Sequence, residues 1–362
     1  MWPDFIGNRA AAEHLRRLAA AAGSSRQAQR TLILAGPEGI GKTTLAVDFG
    51  LALNCQAPPE PGGICGTCVS CRQAAPVSTL SELVKTALDY RGAEVTSGAR
   101  QEAPLRVSLH PAIYLFPPDG DFLTMAQARA LIHQSHLQPD AGHIWTLIVP
   151  EFDRARWATQ AALLKTLEEP PSGVSILLLA ANPGALLATV RSRAQELRLA
   201  PVPPPELEAA LETRGRSCEA AALAARLARG RPGRALTLDV AAYQQLRTEA
   251  LALVQAGLRG GPALSVFRLS ESTRASKEKF ETLVEILYSV MQDIEYLQSE
   301  FPAGVGNADC LPELRQLAQR IEPVGLPGVI EGVDQMRAAA QRNSFRPLAL
   351  ASWALGLIAV SR

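Results

Sequence analysis

The pattern of apolar and polar positions changes character partway along the chain. Thr31-Leu32-Ile33-Leu34-Ala35 is a short apolar run, as expected of a parallel strand covered on both faces. A glycine-rich turn follows, and Thr44 to Leu53 then suits a helix. Trp145 to Val149 and Ser175 to Ala181 repeat the strand pattern. Between them Ala158 to Glu169 reads as a helix stopped by Pro170-Pro171, because proline lacks the N–H and clashes with the preceding turn. Strands alternating with helices predict a three-layer α/β domain.

Pro201-Val202-Pro203-Pro204-Pro205 cannot sit in a helix interior and reads as a linker. Helical patterns follow it. Leu207 to Leu211 and Ala220 to Ala228 predict a small helical unit ending near Gly230. Beyond Val240 the patterns lengthen, with Phe280, Leu283, Ile286, Leu287 and Val290 on one face. The expected organisation is an α/β domain over 1–200, a small helical domain over 201–240 and an all-helical domain over 241–362. Lys85 to Ser108 is polar and weakly periodic, and reads as an excursion or long loop.

Composition narrows this reading only a little. A chain of 362 residues, 47% apolar and 20% charged, fits two or three globular domains. The net charge of +1 excludes a chain-wide basic footprint for nucleic acid, so any DNA contact belongs to a local patch or a larger assembly. Met1-Trp2-Pro3-Asp4-Phe5 lacks the basic stretch and apolar core of a signal peptide, so a cytoplasmic protein is expected. The most apolar stretch, Pro347 to Val360, is shorter than the ~20 residues that span a bilayer and reads as a buried helix.

Two motifs carry chemistry. Gly36-Pro37-Glu38-Gly39-Ile40-Gly41-Lys42-Thr43 matches the phosphate-loop pattern G-x-x-x-x-G-K-[ST]. Gly36, Gly39 and Gly41 let backbone N–H groups turn toward phosphate oxygens. Lys42 supplies a point charge, the Thr43 hydroxyl suits Mg²⁺, and the helix start at Thr44 favours an anion. This predicts binding of ATP or ADP with Mg²⁺. The second motif is Cys55-x9-Cys65-x2-Cys68-x2-Cys71, four of the six cysteines, with Cys218 and Cys310 isolated. Without a secretion signal, such a cluster favours a metal over disulfides. Four thiolates suit a closed structural Zn²⁺ site; unligated cysteines and an iron–sulfur cluster are the alternatives.

A phosphate loop followed by a four-cysteine module resembles the AAA+ subunits of the bacterial DNA polymerase III clamp loader, most closely the delta-prime type. The resemblance covers nearly the whole chain. Phe5-Ile6-Gly7-Asn8 is similar to the family's opening segment, and His110-Pro111 to its strand entry after the zinc module. Gln160 to Pro170, Gln-Ala-Ala-Leu-Leu-Lys-Thr-Leu-Glu-Glu-Pro, resembles the family's Leu-Leu-Lys helix. Thr189-Val190-Arg191-Ser192-Arg193 resembles its Ser-Arg-Cys motif, and Gln341-Arg342-Asn343 its C-terminal signature. The resemblance implies an AAA+ domain, a helical lid and a helical collar. It also implies an arc with gamma/tau and delta subunits that loads a sliding clamp on primer–template DNA. By the same resemblance, Arg193 is an arginine finger acting on a neighbour's ATP site.

Departures from that pattern sharpen it. A Mg²⁺-organising Asp is expected after Leu147-Ile148-Val149, followed by a catalytic Glu; here the pair is Pro150-Glu151, with Asp153 two residues on. Phosphoryl transfer rests on positioning and charge neutralisation, so losing the Asp is a severe loss. Ala180 stands where a sensor Thr or Asn is expected, and Gly233 where motor subunits carry an Arg. The parts that hold phosphate are present and several that cut it are not. That favours a delta-prime stator over a gamma/tau ATPase. A stand-alone P-loop kinase or a zinc-bearing nucleic-acid module fits the helical C-terminal third and the 5% aromatic content less well.

Overall fold

The computed structural model describes residues 2, 5–25, 30–90, 103–137, 143–260, 262–271, 276–341 and 345–360. They separate into two compact units, residues 1–203 with 230–233, and residues 204–229 with 234–362.

The first unit is built on a six-stranded sheet in the order β2-β3-β4-β5-β1-β6. The strands are β1 (Arg30–Ala35), β2 (Val107–His110), β3 (Ile113–Leu115), β4 (Trp145–Val149), β5 (Val174–Ala180) and β6 (Gln195–Arg198). All neighbours are parallel except β2 against β3. Strands β4 and β5 are buried at every position, as central strands with both faces covered must be. The edge strand β6 is half-exposed and correspondingly polar.

Among the described residues, the α-helices up to the last strand are α1 (Arg9–Ser25), α2 (Lys42–Asn54), α3 (Val69–Arg72), α4 (Leu80–Tyr90), α5 (Met125–His136), α6 (Trp157–Glu168) and α7 (Ala188–Arg191). The strands expected at 31–35, 145–149 and 175–181 and the helices expected at 44–53 and 158–169 are present to within two residues at each end. The excursion reading of 85–108 needs correcting at both ends. Leu80, Leu83, Val84 and Ala87 put one half-buried stripe on α4, and Val107 opens β2. Residues 91–102 of that stretch lie outside the described residues. Helix α5 was not foreseen; Thr124 and Gln127 start it with a capping box.

The second unit is helical: α8 (Pro204–Thr213), α9 (Cys218–Ala228), α10 (Pro232–Thr237, begun in the first unit), α11 (Val240–Leu258), α12 (Ala263–Ser270), α13 (Lys277–Gln298), α14 (Leu311–Arg320), α15 (Leu326–Gln341) and α16 (Arg346–Gly356). Pro204 and Pro205 open α8, where a missing N–H costs nothing, so the proline run is partly a helix start. The predicted face Phe280, Leu283, Ile286, Leu287 and Val290 is buried in the bundle core. The apolar stretch from Pro347 forms α16, with Leu350, Ala351, Trp353 and Ala354 buried. Gln341 ends α15, while Arg342 and Asn343 lie outside the described residues. Several buried polar groups of this unit pair with one another. Asn307 Oδ1 accepts from Tyr243 and Arg247, and the Asp293 carboxylate accepts the Gly306 and Asn307 N–H groups. Among the described residues, no helix is long and apolar enough to cross a membrane.

Candidate functional site

The phosphate loop links β1 to α2. Gly36 leaves the strand with φ 155°, its N–H donated to the Ala180 carbonyl at 3.0 Å. A Cβ there would sit 2.7 Å from the Leu199 carbonyl oxygen. Gly41 caps α2 in the left-handed region at φ 102°, and a Cβ would meet the Phe5 ring at 2.9 Å. Both positions therefore require glycine. Lys42, Thr43 and Thr44 open the helix and are half-buried. Lys42 Nζ donates to the carbonyls of Gly36 at 2.6 Å and Pro37 at 2.9 Å. Burial pulls its pKa down, opposed by the carboxylates of Asp153, Glu38 and Glu151. Gly233 donates its N–H to the Gly39 carbonyl at 2.8 Å, and a Cβ at Gly233 would stand 3.0 Å from that oxygen. The backbone approach leaves little room there for the side chain that motor subunits were expected to carry.

Beyond β4 the chain turns through Pro150, and Glu151 adopts a left-handed conformation at φ 50° that costs a residue of this type. Its carboxylate pairs with Arg154 one turn on. Asp153 Oδ2 accepts the N–H groups of Ala181 at 3.1 Å and Asn182 at 2.8 Å. It therefore fastens the turn after β4 to the end of β5. Glu151 and Asp153 are brought near Lys42 but are engaged in local bonds, and Pro150 offers no side-chain oxygen.

Arg193 lies between α7 and β6, with its side chain 32% exposed. Its Nε donates to Glu168 Oε2 at 2.9 Å, and its Nη1 to the Thr189 carbonyl at 3.0 Å. Its hydrogen bonds thus run to α6 and α7 and not to the phosphate loop. Gln160, two turns earlier on α6, is buried and supports the same region. Its Oε1 accepts the Leu187 N–H at 2.9 Å, and its Nε2 donates to the Ala155 carbonyl at 2.9 Å.

The cysteine cluster begins where α2 ends. The sulfurs of Cys55, Cys65, Cys68 and Cys71 all lie within 4.8 Å of one another. Backbone N–H groups point at them: Cys68 and Thr67 donate to Cys65 Sγ at 3.2 and 3.4 Å, and Cys71 donates to Cys68 Sγ at 3.4 Å. These donors pull the Cys65 thiol down to about 5, whereas burial pushes Cys71 up to about 12. Four convergent soft donors with N–H support fit a tetrahedral thiophilic ion. His110 ties the module to the sheet. Its Nδ1 accepts the Ala112 N–H at 2.9 Å, which leaves the proton on Nε2, 3.0 Å from the Ser70 hydroxyl. Burial, with His143 nearby, lowers its pKa.

Several of these residues were not assigned a role from sequence. Glu168 and Gln160 stood within a quoted motif, and a polar Gln on the buried face of α6 was the available signal. Ser70 carried no signal, since its partner is 40 positions away.

Comparison with known proteins supplies the family. The family model for "DNA polymerase III, delta subunit" matches residues 10–203. The chain is 26% identical over 236 residues to the DNA polymerase III subunit delta' of Escherichia coli, covering 64% of this chain and 69% of that protein. It is 27% identical over 192 residues to the gamma/tau subunit of Mycobacterium bovis, covering 52% of this chain and 26% of that protein. The chain thus spans about a quarter of the length of the mycobacterial gamma/tau proteins it matches and about half of the Escherichia coli tau subunit. A solved gamma subunit-related protein of Thermotoga maritima aligns with TM-score 0.49 at 14% identity, over 97% of this chain and 99% of that one. On the family match, which takes in the sheet, the phosphate loop, the cysteine cluster and Arg193, the chain belongs to the DNA polymerase III delta subunit family of clamp-loader subunits.

Proposed function

We propose that this chain is a delta-prime-type stator of the DNA polymerase III clamp loader. It helps to place a sliding clamp on primed DNA within an arc of gamma/tau and delta subunits. Its own chemistry is the loan of Arg193 to the ATP site of a neighbour, where a fixed guanidinium stabilises charge on the transferring phosphoryl group. In this reading, residues 1–200 are the AAA+ domain, 201–240 the lid and 241–362 the collar that joins the arc.

One observation carries the stator reading. At the end of β4, Pro150 has no side-chain carboxylate to hold a metal, while Glu151 and Asp153 are bound to Arg154 and to the Ala181 and Asn182 backbone. The phosphate loop beside them suits nucleotide through Gly36, Gly39, Gly41, Lys42, Thr43 and Thr44. With nucleotide and Mg²⁺ bound, the loop serves as a structural clasp. Cys55, Cys65, Cys68 and Cys71 hold a structural Zn²⁺, which closes the module by cross-linking its ends.

The test is reconstitution with gamma/tau and delta, with ATPase and clamp-loading assays. The purified chain alone hydrolyses ATP negligibly, and Arg193→Ala leaves folding intact but lowers the DNA-stimulated rate of the assembly. Substantial single-turnover cleavage by the isolated chain would favour the second reading, an active gamma/tau-type ATPase, which the intact Gly36–Thr43 loop supports. An unchanged rate with Arg193→Ala would remove the finger role.

A further inference from the structure

We propose that Glu168 is the positioning residue for Arg193. The inference rests on the trans-finger reading above. A long arginine side chain at a subunit edge loses considerable rotamer freedom when it is held in one geometry. A finger must have that freedom removed before the neighbour docks, or the neighbour's site bears the cost.

The structure removes it in two steps. First, α6 fixes the backbone that carries the arginine. Gln160 accepts the Leu187 N–H at 2.9 Å and so holds the entry to α7, and the Arg193 N–H closes a turn onto the Val190 carbonyl at 3.1 Å. Second, the last residue of α6 fixes the guanidinium. Glu168 Oε2 receives the Arg193 Nε–H at 2.9 Å, while Nη1 is engaged by the Thr189 carbonyl at 3.0 Å and by Ser192 Oγ at 3.4 Å. The carboxylate thus grips the inner edge of the planar fork. Nη2 has none of these bonds and is the donor left to face a phosphate.

The grip is weak enough to coexist with catalysis. The Glu168 side chain is 54% exposed and that of Arg193 32%, so solvent screens the pair and the guanidinium keeps its positive charge for a nearby anion. Glu168 need not touch the reacting atoms. It orients the group that does.

The experiment measures kcat and KM for ATP in the reconstituted, DNA-stimulated assembly with Arg193→Ala, Glu168→Ala, Glu168→Gln and the Arg193→Ala/Glu168→Ala double variant. Thermal midpoints of each purified chain serve as the folding control. Glu168→Ala is expected to lower kcat about fivefold with KM unchanged, the scale of an exposed ion pair. Glu168→Gln should stay within about twofold of wild type, because its amide oxygen still accepts the Nε–H. Glu168→Ala should add nothing once Arg193 is gone. Wild-type kcat in Glu168→Ala, alongside a clear loss in Arg193→Ala, would overturn the positioning role and leave the finger reading standing. So would a Glu168→Gln loss as large as that of Glu168→Ala, or an equal Glu168→Ala loss on both backgrounds. If Arg193→Ala itself has no effect, the underlying reading fails instead.

Discussion

The two ends of α2 carry opposite chemistry on one helix. At its start, glycines bring backbone N–H groups of Lys42 to Thr44 toward a place suited to an anion. At its end, Cys55 opens a cluster of four sulfurs suited to a cation. The helix has no acidic residue in its first turn and no basic residue in its last. Neither end of its dipole is complemented by its own side chains, and Lys42 even places a cation at the positive end. A phosphate would complement the start of the helix, whereas a Zn²⁺ held by four thiolates keeps a net negative charge, so the closed donor set rather than the dipole would hold a metal at the other end. The ends differ in what surrounds them. The cysteine end offers a closed donor set, whereas the phosphate end faces Pro150 and two carboxylates already engaged.

The largest expected effect lies at the cysteine end. Metal analysis should give one zinc per chain, and chelation or a Cys65→Ser/Cys68→Ser variant should open residues 55–71 to proteolysis, since structural zinc contributes on the order of 10 kcal/mol in small modules. Iron, or no metal, would overturn the assignment. At the other end, Lys42→Ala should weaken ATP affinity about tenfold or more, the loss of a charged hydrogen bond donor to phosphate. A titration with fluorescent nucleotide reads it, and unchanged affinity would mean the loop does not hold nucleotide through this residue.

Asp153→Ala should cost about 1 kcal/mol in denaturant unfolding, because two exposed N–H groups just past β5 exchange a fixed carboxylate for water. Asp153→Asn should recover part of this. A variant as stable as wild type would free Asp153 from its structural role and weaken the contrast between the ends. The smallest effect is a pH dependence. The pKa of His110 is lowered, so the fold favours its neutral form. Its contribution is present above the ordinary value of ~6.5 and is lost as pH falls through that value toward the lowered one. The melting temperature should therefore decline below about pH 6.5 less steeply in His110→Gln than in wild type, and an identical decline would exclude His110 as its source.

Much of the first unit was legible because its signals are local. A buried parallel strand must be apolar on both faces, and a phosphate loop must place its glycines at fixed spacing. The cysteines declared their cluster in the same way. The helix over Leu80–Tyr90 was missed because its stripe is only half-buried, and the short strand β2 because its pairing comes from the sheet rather than from its own pattern, while β3 was signalled only by the resemblance at His110-Pro111.

By itself, the amino-acid sequence determined the α/β start, the helical remainder, the phosphate loop, the four-cysteine set and the absence of an acidic residue at position 150. Only the tertiary structure decided what the remaining groups do. It turned Asp153 into a brace between strand ends, left Gly233 little room for a side chain against Gly39, and gave Arg193 the carboxylate of Glu168. Local pattern fixes which backbone geometry a segment adopts. Which polar groups satisfy one another depends on contacts between residues far apart in the chain, such as Asp153 with Asn182 and Glu168 with Arg193, and no periodicity encodes those.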